Sequence, residues 1–116
     1  MKKTIFLVHN DWRLYDSVRD WLGRSYNFVP VLRLSEALFK AEKRYKPDLI
    51  ILAFYEKGET FLWYIGKLSR IANVIVWSGY TLENFQTPCL EAGAFRCVTK
   101  SDDQGLLTAI EKALRN

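Results

Sequence analysis

Short apolar runs recur along this chain at similar intervals, and they constrain its fold more than any other feature. Three of the runs are continuous rather than alternating, which is typical of strands buried on both faces of a parallel sheet. Because proline lacks an amide donor, Pro30 in the second run predicts an edge strand there. The runs are Ile5–Val8, Phe28–Val31, Leu49–Ala53, Val74–Trp77 and Cys97–Val98.

Between these runs the apolar residues repeat with the period of an α-helix, so a helix is predicted after each strand. Ser35 and Ser101 are predicted to cap the second and last helices. Pro88 interrupts the fourth, which is therefore predicted to begin only at Thr87 or Pro88 and to end at Gly93. The residues predicted to face inward on the other helices are Leu14, Val18, Trp21 and Leu22; Leu38, Ala41 and Tyr45; Phe61, Tyr64 or Ile65, and Leu68; and Leu106, Leu107, Ile110 and Leu114.

This order is strand then helix, repeated five times without a linker or repeat, and it indicates one domain spanning residues 1–116. Right-handed crossovers make such a chain a three-layer α/β sandwich around a parallel sheet. In such folds functional groups gather beyond the carboxyl ends of the strands. The residues at those ends are His9, Asn10 and Asp11, then Ala53, Ser78 and Lys100.

Composition narrows the classes of function. Apolar residues make up 49% of the chain, yet no apolar run approaches the ~20 residues of a membrane helix. Cys89 and Cys97 lack the spacing of a zinc site, so we expect reduced thiols, no metal and a cytoplasmic protein. The net charge is +4, and the basic residues are scattered along the chain. Their densest cluster, residues 40–46, also contains Glu42. This distribution does not favour nucleic-acid binding.

In its sequence motifs the chain resembles the CheY-like receiver domain of two-component response regulators. The motifs are "KPDLIIL" at residues 46–52, Gly58 five positions after Ala53, "EAGA" at 91–94 and "VTK" at 98–100. The similarity extends from about Ile5 to Leu114, essentially the whole chain. It implies a doubly wound, flavodoxin-like sheet of five parallel strands in the order 2-1-3-4-5.

In the family that the chain resembles, an acidic pair holds magnesium and an aspartate accepts a phosphoryl group, which a hydroxyl and a lysine contact. An aromatic residue three positions before the lysine reports the state of the domain by turning inward or outward. Ser78 and Lys100 match the hydroxyl and the lysine. The other positions do not match: the acidic pair falls on His9 and Asn10 with Asp11 beside them, the acceptor on Ala53, and the switch aromatic on Cys97.

Because a methyl group cannot accept a phosphoryl group, the resemblance implies a degenerate pseudo-receiver that is not phosphorylated at residue 53. The remaining polar residues have plain structural interpretations. Asp11 is expected to cap the first helix, and His9 to be a satisfied, partly buried group. Lys100 must find Asp11, Glu56 or water, while Ser78 is expected to bond locally and Cys97 to lie in the core.

Aromatic residues are more numerous than a core requires, at 15% of the chain. Trp77 is predicted to be buried in the fourth strand. Trp12, Phe54 and Tyr55 fall on loops at the strand ends, and Trp63 falls on the third helix. Large aromatic side chains anchor interfaces, so these four are candidate interface residues. The alternative is that each ring folds over a neighbouring apolar side chain.

These features predict a non-enzymatic, phosphorylation-independent receiver that binds other signalling proteins in a two-component pathway or phosphorelay, without a cofactor. No output domain follows Asn116, so we expect the chain to act alone or to be a fragment of a longer regulator. One alternative is a flavodoxin-like enzyme or ligand-binding domain that uses the vacated crevice, although no glycine-rich phosphate loop follows the first strand. A third is a basic nucleic-acid-binding module, which requires the cations to converge on one face.

Overall fold

Strands and helices alternate throughout the protein, as the sequence predicts. The structure is a computed structural model that describes residues 1–115, and within that range it has five strands and five helices. The strands are β1 (Lys3–Val8), β2 (Tyr26–Val31), β3 (Leu49–Leu52), β4 (Asn73–Ser78) and β5 (Arg96–Thr99). The helices are α1 (Trp12–Leu22), α2 (Leu34–Lys43), α3 (Glu59–Ser69), α4 (Leu82–Ala92) and α5 (Asp103–Arg115).

The strands form a single parallel sheet in the order β2-β1-β3-β4-β5, which confirms the predicted topology. Pro30 lies on the edge strand β2, opposite Leu7 of β1. The edge position suits proline because an amide facing away from the sheet is not needed for pairing. None of the helices within residues 1–115 combines the length and apolar character that spanning a membrane requires.

Two apolar cores lie on opposite faces of the sheet. Ile5 and Leu7 of β1 point to the core beneath α1 and α5, whereas Phe6 and Val8 point to the core beneath α2, α3 and α4. This alternation follows from the two-residue period of a strand. Because both faces are covered, both sets of alternating residues are apolar, and the central strands read as continuous apolar runs.

The helix faces differ from the prediction at two positions. Trp21 is 44% exposed, and Tyr15, which the apolar pattern did not single out, is buried in its place. The Tyr15 hydroxyl donates to the Phe28 carbonyl oxygen over 3.3 Å, so this polar ring is satisfied in the core. Tyr45 is also exposed, because α2 ends at Lys43 before reaching it, although its ring edge still contacts Phe6.

The predicted starts of three helices, α2, α4 and α5, were wrong. Helix α2 begins at Leu34 with Arg33 before it, so Ser35 lies inside the helix. Helix α4 begins at Leu82, well before Pro88, because burial of Phe85 holds the first turns against the sheet. Such burial outweighs the hydrogen bond that a proline inside a helix removes.

Helix α5 is capped by Asp102 rather than by Ser101. The Asp102 carboxylate accepts a hydrogen bond of 2.8 Å from the Gly105 amide, which has no partner within the helix. The Ser101 hydroxyl instead lies 3.3 Å from the Thr99 hydroxyl. The capping residue is therefore shifted by one position from the predicted one.

Removing the Asp102 cap is expected to destabilise the protein. We expect Asp102→Ala to lower the free energy of unfolding by about 1 kcal/mol, because the Gly105 amide loses its acceptor. Ser101→Ala is the matched control and should change stability by less than about half that amount. Urea unfolding followed by circular dichroism measures both, and a larger loss in Ser101→Ala would contradict this assignment of the cap.

Candidate functional site

Backbone hydrogen bonds bring the ends of the strands together at one edge of the sheet. The His9 amide donates to the Val31 carbonyl over 2.9 Å, and the Ala53 amide donates to the Val8 carbonyl over 2.8 Å. The Lys100 amide likewise donates to the Ser78 carbonyl over 2.8 Å. Residues that are far apart in sequence are therefore fixed side by side, where the loops of a doubly wound sheet build sites.

A shallow pocket of about 340 Å³ opens at this edge, and we call it the strand-end pocket. Its lining residues are Asn10, Phe54, Tyr55, Ser78, Gly79, Tyr80 and Lys100. Five of the predicted site residues thus meet here, from Asn10 to Lys100. The others do not line the pocket: His9, Asp11, Trp12, Ala53, Trp63 and Cys97.

Ala53 follows β3 directly and is completely buried, with 0% of its surface exposed. Its methyl group packs in the core on the side of α1 and α5. The position that the resemblance aligns with a phosphoacceptor is therefore apolar and closed to solvent in this chain. A methyl group has no lone pair, so it cannot act as a nucleophile.

His9 is more deeply buried than its position at a strand end suggested. Its Nδ1 atom accepts a hydrogen bond of 3.2 Å from the Asp11 amide, and its ring lies between Trp12 and Tyr15, with centroids 4.7 and 5.4 Å away. The Nε2 atom has no hydrogen-bond partner among residues 1–115, and the residue is 0% exposed, so the expectation of a satisfied, partly buried histidine was wrong. Burial lowers the pKa of His9, an effect that the nearby Asp11 only partly offsets.

Asp11 caps α1, as the sequence predicts. Its backbone is extended, and its Oδ1 atom accepts a hydrogen bond of 2.9 Å from the Arg13 amide. Asn10, the preceding residue, is exposed. Of the three residues that follow β1, only Asp11 carries a carboxylate, and that carboxylate is held by the helix backbone.

Lys100 lies over the face of Trp77, with its ammonium nitrogen 5.7 Å from the ring centroid. Within residues 1–115 it forms no ion pair. Burial lowers its pKa, while the negative charge of Asp11 acts in the opposite direction. A cation over an indole face is partly compensated by the ring quadrupole, which explains how this lysine tolerates the absence of a carboxylate partner.

Ser78 and Cys97 have the local roles expected from the sequence. Ser78 is buried, and its hydroxyl oxygen accepts a hydrogen bond of 3.1 Å from the Tyr80 amide. Cys97 lies in the core, with its sulfur 3.9 Å from the Gln86 carbonyl oxygen. The adjacent Cys89 sulfur and burial raise the pKa of the Cys97 thiol, which keeps it protonated.

The aromatic residues divide into an exposed and a half-buried group. Trp12 and Trp63 are each 52% exposed, so both are accessible to a partner. Phe54 and Tyr55 are half-buried against Phe61, with ring centroids 5.6 and 5.5 Å from it. This packing matches the alternative in which each ring folds over a neighbouring apolar side chain.

Tyr80 is the residue of this site that the sequence reasoning missed. It is 54% exposed, lines the strand-end pocket and contacts the Tyr55 ring at 5.5 Å. Its position two residues after Ser78 is the signal that could have identified it, because the loop after a parallel strand lies at the same edge as the strand end.

Basic residues gather at the opposite, amino-terminal edge of the sheet. Lys3, Lys46 and Arg70 line a cavity there. Asp48 shares that cavity, and its carboxylate accepts a hydrogen bond of 2.7 Å from the Thr4 amide. The edge therefore carries charges of both signs, unlike the uniformly basic surfaces that bind nucleic-acid backbones.

Solved structures with the same architecture include response regulators and receiver domains. A response regulator from Thermotoga maritima is 22% identical, with a TM-score of 0.85 and 100% of each chain covered. A CheY-like receiver domain protein from Methanospirillum hungatei is 24% identical, with a TM-score of 0.80, 99% of this chain covered and 95% of the other. The chain has the receiver fold.

A third structure extends this likeness to another class of regulator. The LuxR-family response regulator from Aurantimonas is 23% identical, with a TM-score of 0.83, 99% of this chain covered and 86% of the other. The sequence itself matches no protein-family model and no curated protein. The fold is therefore shared with these proteins at low sequence identity.

The buried His9 is expected to make stability depend on pH. Because its pKa in the folded protein lies below 6.5, the unfolded chain binds more protons as the pH falls through that value. We therefore expect the free energy of unfolding to decrease between about pH 7.5 and 5.5. Urea unfolding at both pH values, followed by circular dichroism, measures the change.

His9→Asn is the control, because the asparagine side chain can still accept from the Asp11 amide but does not titrate. This variant should lose most of the pH dependence in that window. Glu36 does not interfere, since a hydrogen bond from the Leu32 amide lowers its pKa below 4.5. An unchanged pH slope in His9→Asn would show that another group is responsible.

Proposed function

We propose that this protein is a phosphorylation-independent receiver that serves as a protein-interaction module in a two-component-type pathway. The observation that carries the proposal is Ala53, a buried methyl group at the end of β3 in a chain with the receiver fold. The fold provides the scaffold of a receiver, while the residue at the reactive position has no group that can be phosphorylated. In this proposal the chain catalyses no reaction.

The residues around Ala53 support the same conclusion. Phosphoryl transfer to a carboxylate requires a hard divalent cation held by oxygen ligands, which neutralises the charge of the transferred group. His9 is buried between aromatic rings, and Asp11 is engaged in capping α1. Ser78 and Lys100 keep the residue types of a receiver, but residue 53 is an alanine instead of an acid.

An interaction role is supported by the exposed aromatic residues at the strand-end edge. Trp12 and Tyr80 each expose about half of their surface and follow β1 and β4, respectively. The Trp12 ring is held against His9 and Tyr15, with centroids 4.7 and 5.4 Å away. Rigid aromatic side chains of this kind anchor interfaces because little conformational entropy is lost on binding. We propose another signalling protein as the partner, with Trp63 as a separate contact on α3.

Phosphorylation is the direct test of this proposal. Incubation of the wild-type protein with acetyl phosphate and magnesium is expected to leave its intact mass unchanged, because residue 53 offers no nucleophile. Mass spectrometry at neutral pH detects the addition of one phosphoryl group, and base treatment identifies an acyl phosphate. A stoichiometric, base-labile phosphoryl adduct on the wild-type protein would refute the proposal.

A matched gain-of-function series uses the same assay. The triple variant Ala53→Asp, His9→Asp, Asn10→Asp restores both the nucleophile and the cation ligands, and we expect it alone to accept a phosphoryl group efficiently. Ala53→Asp by itself should remain unmodified, since the cation ligands are still missing. If it were modified as fully as the triple variant, the argument that the cation site has been lost would fail.

The proposed interface can be tested by site-specific photo-crosslinking in the source cells. A benzophenone side chain at residue 12 or 80 is expected to form a discrete adduct with a histidine kinase, phosphotransfer protein or response regulator. The matched control carries the same group at Phe39, an equally exposed aromatic residue on α2. Identical adducts from all three positions would show that the strand-end edge has no special role.

A further inference from the structure

A second depression, separate from the strand-end pocket, lies between α1 and the start of α5. Its volume is about 380 Å³, within the ~300–1,000 Å³ range of small-molecule sites, and we call it the α1–α5 groove. Its apolar lining comes from Leu14, Val18, Trp21 and Trp77. Ser17, Lys100 and Asp103 supply its polar groups.

The apolar part of the groove consists largely of indole surface. Trp77 is 4% exposed and lies in the core beneath α1 and α5. Trp21 is 44% exposed although it projects from the helix that forms one wall. A planar apolar group in the groove would cover the exposed indole of Trp21, which favours an aromatic occupant.

The charged groups of the groove lie at its end nearest the carboxyl edge of the sheet. Lys100 follows β5 and Asp103 begins α5, so both are at that edge, whereas Trp21 is near the other end of α1. Within residues 1–115 neither charge forms an ion pair, with the other or with a third residue. The groove therefore presents one free cation and one free anion beside an apolar surface.

A polar group in the wall of the groove also lacks a partner. The indole N–H of Trp77 is buried and donates to no acceptor among residues 1–115. Buried donors are nearly always satisfied, and each unsatisfied one calls for an explanation. This N–H belongs to the same side chain whose ring face lies under the Lys100 ammonium.

We propose that the α1–α5 groove binds a free aromatic amino acid, with its carboxylate on Lys100, its ammonium on Asp103 and its ring against Trp21. A neutral aromatic ligand leaves both charges unmatched. A simple carboxylate faces the like charge of Asp103, and a simple amine faces that of Lys100. Only a zwitterion matches both charges, and a few polar groups beside an apolar surface are what gives small-molecule sites their specificity.

The proposal goes beyond the function proposed above and does not depend on it. Lys100 lines both the groove and the strand-end pocket, where it is a neighbour of Ser78. A ligand carboxylate that holds the ammonium in the groove thus draws it away from that pocket. Binding in the groove would in this way alter the surface beside Tyr80 without any phosphoryl transfer.

Isothermal titration calorimetry with L-phenylalanine, L-tyrosine and L-tryptophan tests the proposal on the wild-type protein. A ligand of this size is expected to bind with a dissociation constant of about 1 mM or lower. The analogues 3-phenylpropionate and 2-phenylethylamine each lack one charge and should bind about tenfold more weakly than L-phenylalanine. This comparison does not depend on whether any variant folds.

Three variants assign the binding to the groove. Lys100→Met and Asp103→Asn should each weaken binding by about tenfold, and Trp21→Ala by at least about fivefold. The matched control is Phe39→Ala, which removes an exposed aromatic ring on the other face of the sheet and should leave the affinity unchanged.

The proposal would be overturned by any of three results. The first is no saturable binding of any of the three amino acids up to about 10 mM. The second is an affinity for 3-phenylpropionate or 2-phenylethylamine equal to that for L-phenylalanine, which would exclude a zwitterion site. The third is binding that Lys100→Met, Asp103→Asn and Trp21→Ala leave unchanged, which would place the ligand elsewhere.

Discussion

The hydrogen-bond ladder between β1 and β3 is the constraint on which the rest of this structure depends. It joins Ile5–Val8 to Leu49–Leu52 residue by residue at the centre of the sheet, where both faces are buried. A shift of one residue would turn every apolar side chain toward the wrong core, so the register is fixed by burial as well as by hydrogen bonding. The ladder continues through the bond from the Ala53 amide to Val8, and the two strands therefore end together. The residues that follow β1 and β3 in sequence therefore lie at the same edge of the molecule.

Much of this architecture can be predicted from the sequence, because burial on both faces leaves continuous apolar runs. The phase of the helices is less predictable. Tyr15 rather than Trp21 faces the core because its ring stacks on the buried His9 and its hydroxyl reaches the Phe28 carbonyl, contacts that exist only once the chain has folded. The cap of α5 is Asp102 and not the predicted Ser101 for a similar reason, because the Ser101 hydroxyl lies beside Thr99. Local propensity identified that a cap was needed, and tertiary contacts selected the residue.

The candidate site, too, could be predicted from the sequence only in part. Strand ends can be read from the sequence, and so can the residue types at them, which is why Asn10, Ser78 and Lys100 were expected to lie close together. How far each side chain reaches solvent could not be read in that way. Ala53 is closed off by packing, and Lys100 turns over the Trp77 face instead of pairing with a carboxylate. As a result, one half-buried lysine contributes to two separate depressions, each with a different chemical character.

The complete enclosure of Ala53 has an evolutionary consequence. A single change to aspartate at this position would place a carboxylate in a site sealed from water, and a buried charge without a partner destabilises the fold. Asp11, the first acid after β1, already accepts a hydrogen bond from the start of α1 through its Oδ1 atom, which restricts how its carboxylate could turn toward a cation. An acid at residue 53 and a cation site beside it are therefore each disfavoured unless several residues change together. Substitutions at exposed positions of this edge, such as Asn10 and Tyr80, meet no such barrier, so its surface can vary while its buried centre stays fixed.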